Sequence, residues 1–557
     1  MTDRIDRRSF LARGVLTASA MAGAGAGGAM LSACGNGTST PSAPREGRNG
    51  ISSVTPRRGG QLTFGVEAEE QGFDPATGRF DETGVLYART VFDPLTIIAA
   101  DGSVQPYLAQ AVTPNQDYSA WTITTRPGIT FHDGTPCDAA AVAGSIEHFL
   151  TGLLGITLNT VTKVSVTGPD TVMLTLNQPW VPFPAYLAGG IGGQAGYVIA
   201  PAMIANKTGG SQHPIGTGPF RFSEWVPNDH FTAVRNPSYW RSSLPYLDSI
   251  TYRPIVDSQQ RADALLAGNI DIMHTDLPSS IVQFRSNNSF GYLDDSAHVV
   301  GEPDMNFIML NVQAAPFNDL RVRQAMAMAI DSSQYARIID KGVNAPCNQP
   351  FVAGSPYYAS DSGYPVYDPV KAKALVGEVA HDNGKPVSFT FTSTTSAYSV
   401  QIAQYLQNQL QAAGMEVQLA QVQQADLINN ALAGSFQAVE WRQFAAVDPD
   451  LNYLWWSPTE IYGSIAPNFA RNTDPQIETL LQTGRRSTDP ATRAAAYRQL
   501  AMQLNHDLPY IWNDRTTWAV VAQSKVQNFN NPTTPVGGKA YGMIVGTVWT
   551  PQIWLSS

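Results

Sequence analysis

The chain's 557 residues exceed the ~250–300 at which one hydrophobic core stops growing, so more than one folded body is required. Apolar residues make up 43% and aromatics 10%, enough for sizeable cores, which excludes a disordered chain. The formal charge is −10, or −12 with residues 1–33 set aside (31 basic, 43 acidic); without a basic block this excludes a nucleic-acid partner, and eight His with three Cys exclude a zinc-finger or disulfide scaffold.

Residues 1–33 read as an export signal rather than fold material. Arg7 and Arg8 precede Ser9-Phe10-Leu11, the arrangement of a twin-arginine (Tat) signal. Gly14 to Leu31 is rich in Ala and Gly and only weakly apolar, too poor a helix former to be read as a span. Leu31-Ser32-Ala33-Cys34 resembles a bacterial lipobox, in which the cysteine is acylated (a palmitate-type anchor) after cleavage before it. The expected product is a lipoprotein held at Cys34 on the outer face of the cytoplasmic membrane, the periplasmic side of the cell envelope. Residues 34–58, rich in Gly, Ser, Thr and Pro, read as a flexible tether.

Beyond the tether, strands and helices alternate irregularly and no short repeat is visible. Tyr118 to Arg126 reads as a strand with Trp121 and Ile123 on one face, and Thr171 to Leu176 repeats the pattern with Val172, Leu174 and Leu176. Between them Asp138 is placed to cap a helix over Ala139–Leu150. Gly216-Thr217-Gly218-Pro219 is expected to supply permissive φ at a sharp turn before a strand at Phe220-Arg221-Phe222. Asp319 is expected to cap a helix in which Val322, Ala325, Met326, Ala329 and Ile330 share a face, with Met326 and Met328 as core filler. Asp368-Pro369, Asp474-Pro475 and Asp489-Pro490 are three N-cap and first-turn signals. Ile402 to Leu410, a stop at Gly414 and then Glu416 to Leu419 read as helix, glycine, strand. The class is α/β.

The search for bond-making chemistry returns little. There is no Gly-x-Ser-x-Gly elbow, Walker loop, His-Glu-x-x-His or Cys-x-x-Cys. Gly189-Gly190-Ile191-Gly192-Gly193 lacks the third glycine of a dinucleotide fingerprint and reads as an adaptable loop. The eight histidines stand singly, so no metal, no cofactor and no catalytic residue is expected. Cys137 and Cys347 are expected to be free, buried thiols.

Read in order, several blocks resemble extracytoplasmic solute-binding proteins of family 5, which deliver dipeptides, oligopeptides, nickel and similar cargo to ABC importers. The blocks are Phe92-Asp93-Pro94-Leu95, Trp121 through Phe131-His132-Asp133-Gly134-Thr135-Pro136, Gly216-Thr217-Gly218-Pro219-Phe220, Arg235-Asn236-Pro237-Ser238-Tyr239-Trp240, Ala267-Gly268-Asn269-Ile270-Asp271 and Pro316-Phe317-Asn318-Asp319-Leu320-Arg321. The resemblance implies a two-lobed clamshell like the periplasmic binding proteins (type II, cluster C, with an extra subdomain in the first lobe). It implies lobe 1 over 59–305 with the subdomain at about 105–215, lobe 2 over 306–515, and a return to lobe 1 over 516–557. It further implies a substrate-binding protein that is no enzyme and closes on a small solute, peptide or peptide-like, for a membrane permease and its ATPase; the chain is expected to be a monomer. Against it stand an exported hydrolase, a ligand-sensing lipoprotein, and a cargo that is a sugar, an opine or a metal chelate.

In the family's peptide binders a Trp-containing stretch of the second lobe carries an aspartate that pairs with the peptide's α-amine. Here that stretch is Trp441-Arg442-Gln443-Phe444-Ala445-Ala446-Val447-Asp448-Pro449-Asp450, with Ala445-Ala446-Val447 where that aspartate would stand. The expected cleft residues are Trp441, Arg442, Phe444, Asp448, Asn311 and Trp455; of the adjacent Trp455 and Trp456 at least one is expected in the core. Arg442 has two readings, a hand for a ligand carboxylate or phosphate, or a partner of Glu440 or Asp448 on the strand face. On the first reading, Arg442→Ala weakens binding and leaves the empty protein as stable as before.

Overall fold

The computed structural model describes residues 47–556 except 79, 191, 297–300 and 461–465. Arg7, Arg8 and Cys34, with the rest of the export signal, lie outside the described residues. No helix among the described residues is long and apolar enough to cross a membrane.

The first lobe is built on a seven-stranded sheet in the order Gly291–Asp294, Ala519–Ala522, Ile272–Thr275, Gln61–Val66, Ser249–Pro254, His230–Arg235, Phe220–Val226. Its centre is parallel: Gln61–Val66 runs alongside both Ser249–Pro254 and Ile272–Thr275. Leu62, Phe64 and Val66 are at most 1% exposed because the helix Glu82–Val91, buried along its length, covers them. Asp81 starts that helix by accepting from the backbone N–H groups of Thr83 and Gly84 at 2.9 and 3.1 Å.

A smaller antiparallel sheet, Ala109–Pro114, Ala120–Thr125, Thr171–Leu176, Val161–Gly168, stands beside it. Alternation decides its faces: Trp121 and Ile123, then Val172 and Leu174, point inward against the helix Ala139–Thr151. Asp138 caps that helix through the Ala141 N–H at 3.0 Å. Cys137 is buried and unpaired in this core, and burial pushes its thiol up to about 12; Cys347, also buried and free, belongs to the core of the second lobe.

The second lobe has a six-stranded sheet in the order Ala345–Pro346, Tyr510–Arg515, Met305–Leu310, Ala438–Gln443, Ser388–Thr394, Glu416–Val422. Met305–Leu310 is buried on both faces and paired on both edges. The helices Leu320–Ala329, Pro369–Asn383 and Ala397–Ala412 cover one face, and Pro475–Arg486 with Pro490–Asp507 cover the other. Asp319, Asp368, Asp474 and Asp489 each accept a first-turn N–H, as the Asp-Pro and Asn-Asp signals predict. Gly414, at φ +90°, lets the chain leave one helix and begin Glu416–Val422. Met326 is fully buried and Met328 packs against the same core.

Two expectations are corrected. Gly216 and Gly218 are not needed for positive φ; a Cβ at either would sit 2.3–2.4 Å from the Val91 carbonyl group, so close backbone approach demands glycine. The last residues of the expected tether are docked on the first lobe: the Arg48 carbonyl accepts from the Tyr292 N–H at 2.6 Å, and its guanidinium lies 5.4 Å over the Tyr292 ring. Composition reveals a solvated segment but not a backbone edge waiting to receive it.

Two described crossings join the lobes. The Thr516 N–H donates to the Asp304 carbonyl at 2.9 Å, tying the chain entering the second lobe to the chain leaving it. The far rim is closed by Asp450 and Arg485 of the second lobe, which meet Trp180 and Tyr186 of the small-sheet body. Ala446 and Leu451 of the second lobe complete the small-sheet core.

Candidate functional site

Between the crossings and the far rim lies a cavity of ≈ 1230 Å³. This is above the ~300–1,000 Å³ usual for small-ligand pockets. One end is acidic and the other apolar.

The acidic end is assembled from chain segments far apart in sequence. Glu67 follows the strand Gln61–Val66, Asp276 follows its parallel neighbour Ile272–Thr275, Glu82 opens the helix Glu82–Val91, and Asp304 precedes Met305–Leu310. Glu67 and Asp276 thus stand at the carboxyl ends of adjacent parallel strands, the usual place for ligands in open α/β sheets. From the opposite lobe, Ala438–Gln443 turns Glu440 and Arg442 toward them.

Arg442 is the hub. It donates to Asp276, lies 3.1 Å from Asp304, 3.3 Å from Glu67 and 3.8 Å from Glu82, and its guanidinium sits 4.6 Å over the Trp518 ring. Its partners are neither Glu440 nor Asp448; three of them belong to the first lobe, and it holds the lobes together. Crowded carboxyls that have lost water hold protons more tightly. Burial raises Glu82 well above its ordinary value, Asp304 to about 6 and Glu440 to about 7, with Arg442 pulling each the other way. Behind them, burial also raises Asp340 to about 7, and raises Asp514 well above the carboxylate range.

These shifts set a pH dependence of stability. A carboxyl whose folded pKa lies above its unfolded value keeps its proton in the native state where the unfolded chain has lost it. Its contribution is therefore full below pH ~4 and lost as pH rises through its folded value. Asp295, Glu302, Asp340 and Glu440 all sit near 7. Denaturant unfolding of the empty protein should therefore show stability rising from pH 8 to pH 6, each group adding up to ~1.4 kcal/mol per pH unit over its window. Buried His274, held neutral far below its ordinary value, opposes this only below pH ~6.5. A flat or inverted profile would contradict the burial of these groups.

The apolar end is an aromatic wall. Trp441 meets Phe469 edge-on at 5.2 Å, and Trp455 lies 5.2 Å from the same ring. Leu427, Leu454 and, from the first lobe, Phe149 complete it.

Three of the six residues expected in the cleft are therefore in its lining with side chains on offer: Trp441, Arg442 and Trp455. Phe444 borders the cavity, but its ring is 2% exposed and stacked on Phe307 at 4.9 Å, and its φ of +86° aims it into the core. Trp456 packs beside it, the core member of its pair. Asp448 is outside the lining: both its oxygens accept from Arg493 at 2.8 and 2.9 Å, and it caps the turn Pro449–Asn452. Asn311 is also outside, its amide donating to the carbonyls of Gly434 and Phe436. Both are correctly polar and adjacent to cleft segments; what removes them is local hydrogen bonding that sequence does not display. Glu67, Glu82, Asp276 and Asp304 were missed. For Glu67 and Asp276 the available signal was an acidic residue directly after a short apolar strand; Glu82, at a helix start, and Asp304, before a strand, carried none. Among the described residues no group of three or more His, Cys, Asp and Glu is arranged to hold a metal ion.

The family model of bacterial extracellular solute-binding proteins, family 5 (middle), matches residues 103–462. The glutathione-binding protein GsiB of Pectobacterium atrosepticum is 28% identical over 456 residues, covering 78% of this chain and 84% of the relative. In fold the chain is similar to AppA, the oligopeptide-binding protein of Bacillus subtilis solved with a nonapeptide (TM-score 0.77, 20% identity, 90% of this chain and 100% of that one). It is equally similar to AgaA of A. tumefaciens R10, solved with agropinic acid (TM-score 0.78, 22% identity, 89% and 99%). The two-lobed α/β fold is thus that of the periplasmic binding proteins, serving neighbours with unlike cargo. The chain belongs to the bacterial extracellular solute-binding proteins of family 5, the solute-capturing subunits of ABC importers.

Proposed function

We propose that this protein captures a peptide or peptide-like solute with a free amine, holds it chemically unchanged between its lobes, and presents it to an ABC permease. The observation that carries the reading is a cleft between the lobes with carboxylates at one end and an aromatic wall at the other. The Trp-containing stretch lacks the amine-pairing aspartate that the family resemblance calls for, and Glu67, Asp276 and Asp304 are the carboxylates available in its place. The α-amine docks there, displacing part of the Arg442 pairing, while side chains pack on Trp441, Phe469 and Trp455. Water exclusion strengthens each polar contact, and cargo touching both lobes favours the shut state. The twin-arginine signal and the lipobox support export and anchoring through Cys34 at the outer face of the cytoplasmic membrane, with the chain working as a monomer.

A thermal-shift panel tests this. Free-amine oligopeptides should stabilise the protein, by ~2.7 kcal/mol at a hundred times Kd for a true ligand. Their N-acetylated forms should not. Glutathione belongs in the panel because a relative is named for binding it, yet it brings two carboxylates to a cleft with one arginine. Equal response to acetylated and free peptides, or conversion of the ligand on incubation, would overturn the reading.

A further inference from the structure

The charge balance of the cleft goes beyond what one α-amine requires. Five carboxylates that line it are not spent on helix caps: Glu67, Glu82, Asp276, Asp304 and Glu440. Among the described residues Arg442 is the single cation of the lining, and four of those carboxylates already share it. No lining Lys or His stands ready for a ligand's carboxylate.

Hydroxyl and carboxylate oxygens without partners add an independent observation. Thr516 lines the cavity beside Asp304, is 5% exposed, and its Oγ1 has no hydrogen-bond partner among the described residues. One oxygen of Glu440, Oε2, is likewise without a partner, while Ser399 and Asn306 donate to the same carboxyl. Nearby, Asp340 accepts from the lining residues Tyr398 and Asn344. Buried acceptors without donors are costly, and an incoming donor with positive charge relieves that cost most.

We propose that the cleft selects cargo carrying at least two positive groups, a peptide with an Arg or Lys side chain besides its α-amine, and rejects anionic peptides. One cation exchanges with Arg442 at Glu67 and Asp276; the second enters along the wall that carries Glu440 and, further toward the crossing, Asp304 and Thr516. The guanidinium of an arginine suits that wall best, since its five N–H groups match several acceptors at once. This rests on the peptide reading above.

A library of synthetic tripeptides and tetrapeptides with free termini, from dianionic to tricationic, is equilibrated with the purified protein, and the retained fraction is identified by mass spectrometry. Basic peptides should be enriched about tenfold or more over neutral ones, and acidic ones depleted. Glu440→Gln should lose most of the basic enrichment, with folding checked by circular dichroism. Retention without charge bias, or with an acidic bias, overturns this inference and leaves peptide capture standing. A library from which nothing is retained overturns both. Basic enrichment that is unchanged in both Glu440→Gln and Thr516→Val overturns the assignment to that wall.

Discussion

Asp450→Ala is expected to destabilise the empty protein by about 3–5 kcal/mol, the cost of breaking a buried ion pair from one side. Asp450 is fully buried, and both of its carboxylate oxygens are used: one accepts from Arg485 Nε at 2.9 Å, the other from the Trp180 indole N–H at 2.6 Å. Arg485 is 1% exposed and sandwiched, its guanidinium 3.6 Å from the Tyr453 ring centroid and 4.4 Å from that of Trp180. Without Asp450 that cation has no compensating charge and no water. Trp180 and Tyr186 belong to the small-sheet body while Asp450 and Arg485 belong to the second lobe, so the loss also loosens the shut rim. Denaturant midpoints measure the first effect, and an increased radius of gyration in solution scattering measures the second. The double variant Asp450→Ala/Arg485→Met should recover much of the stability, because an apolar pair carries no stranded charge. A loss under ~1 kcal/mol for the single variant, the range of exposed pairs, would refute the buried clasp.

Arg442→Ala is the second large effect, and here the structure reverses an expectation drawn from sequence. Removing a ligand hand would leave the empty protein as stable as before. Arg442 instead pairs with Glu67, Glu82, Asp276 and Asp304 and joins both lobes. Its loss should cost about 3 kcal/mol or more at pH 8, where carboxylates face each other without a counter-charge. At pH 6 the cost should be smaller, since Asp304 and Glu440, at about 6 and 7, take up protons and relieve the repulsion. Urea unfolding at the two pH values checks both magnitude and direction. Arg321→Ala is the control: its guanidinium reaches Asp319 and Asp382 at the surface, where water and salt screen the pairs and their loss changes stability little. If Arg442→Ala matched that control, the hub would have no energetic role.

How much of the site was legible follows from the range of the forces involved. Asp138, Asp368, Asp474 and Asp489 announce their helices because a cap acts across three residues, within one turn. Trp121 and Ile123, or Val172 and Leu174, announce their buried faces because strand side chains alternate every second residue. Trp441, Arg442 and Trp455, expected on the family resemblance, line the cavity, while Trp456 packs in the core. Asp448 and Asn311 lie outside the lining, and their partners there, Arg493 and the carbonyls of Gly434 and Phe436, are invisible without coordinates.

From its order of residues alone the chain dictates its α/β alternation, its helix starts and the family blocks that imply two lobes. Local hydrogen bonds and periodic burial need no distant partner. Tertiary structure alone decided that Glu67, Glu82, Asp276 and Asp304 converge on Arg442, and that Asp450 and Arg485 close the far rim on Trp180. Charges separated by hundreds of residues leave no local pattern; their meeting, and the tightened hold on protons that follows, come from bringing strand ends of both lobes to one partly buried cleft.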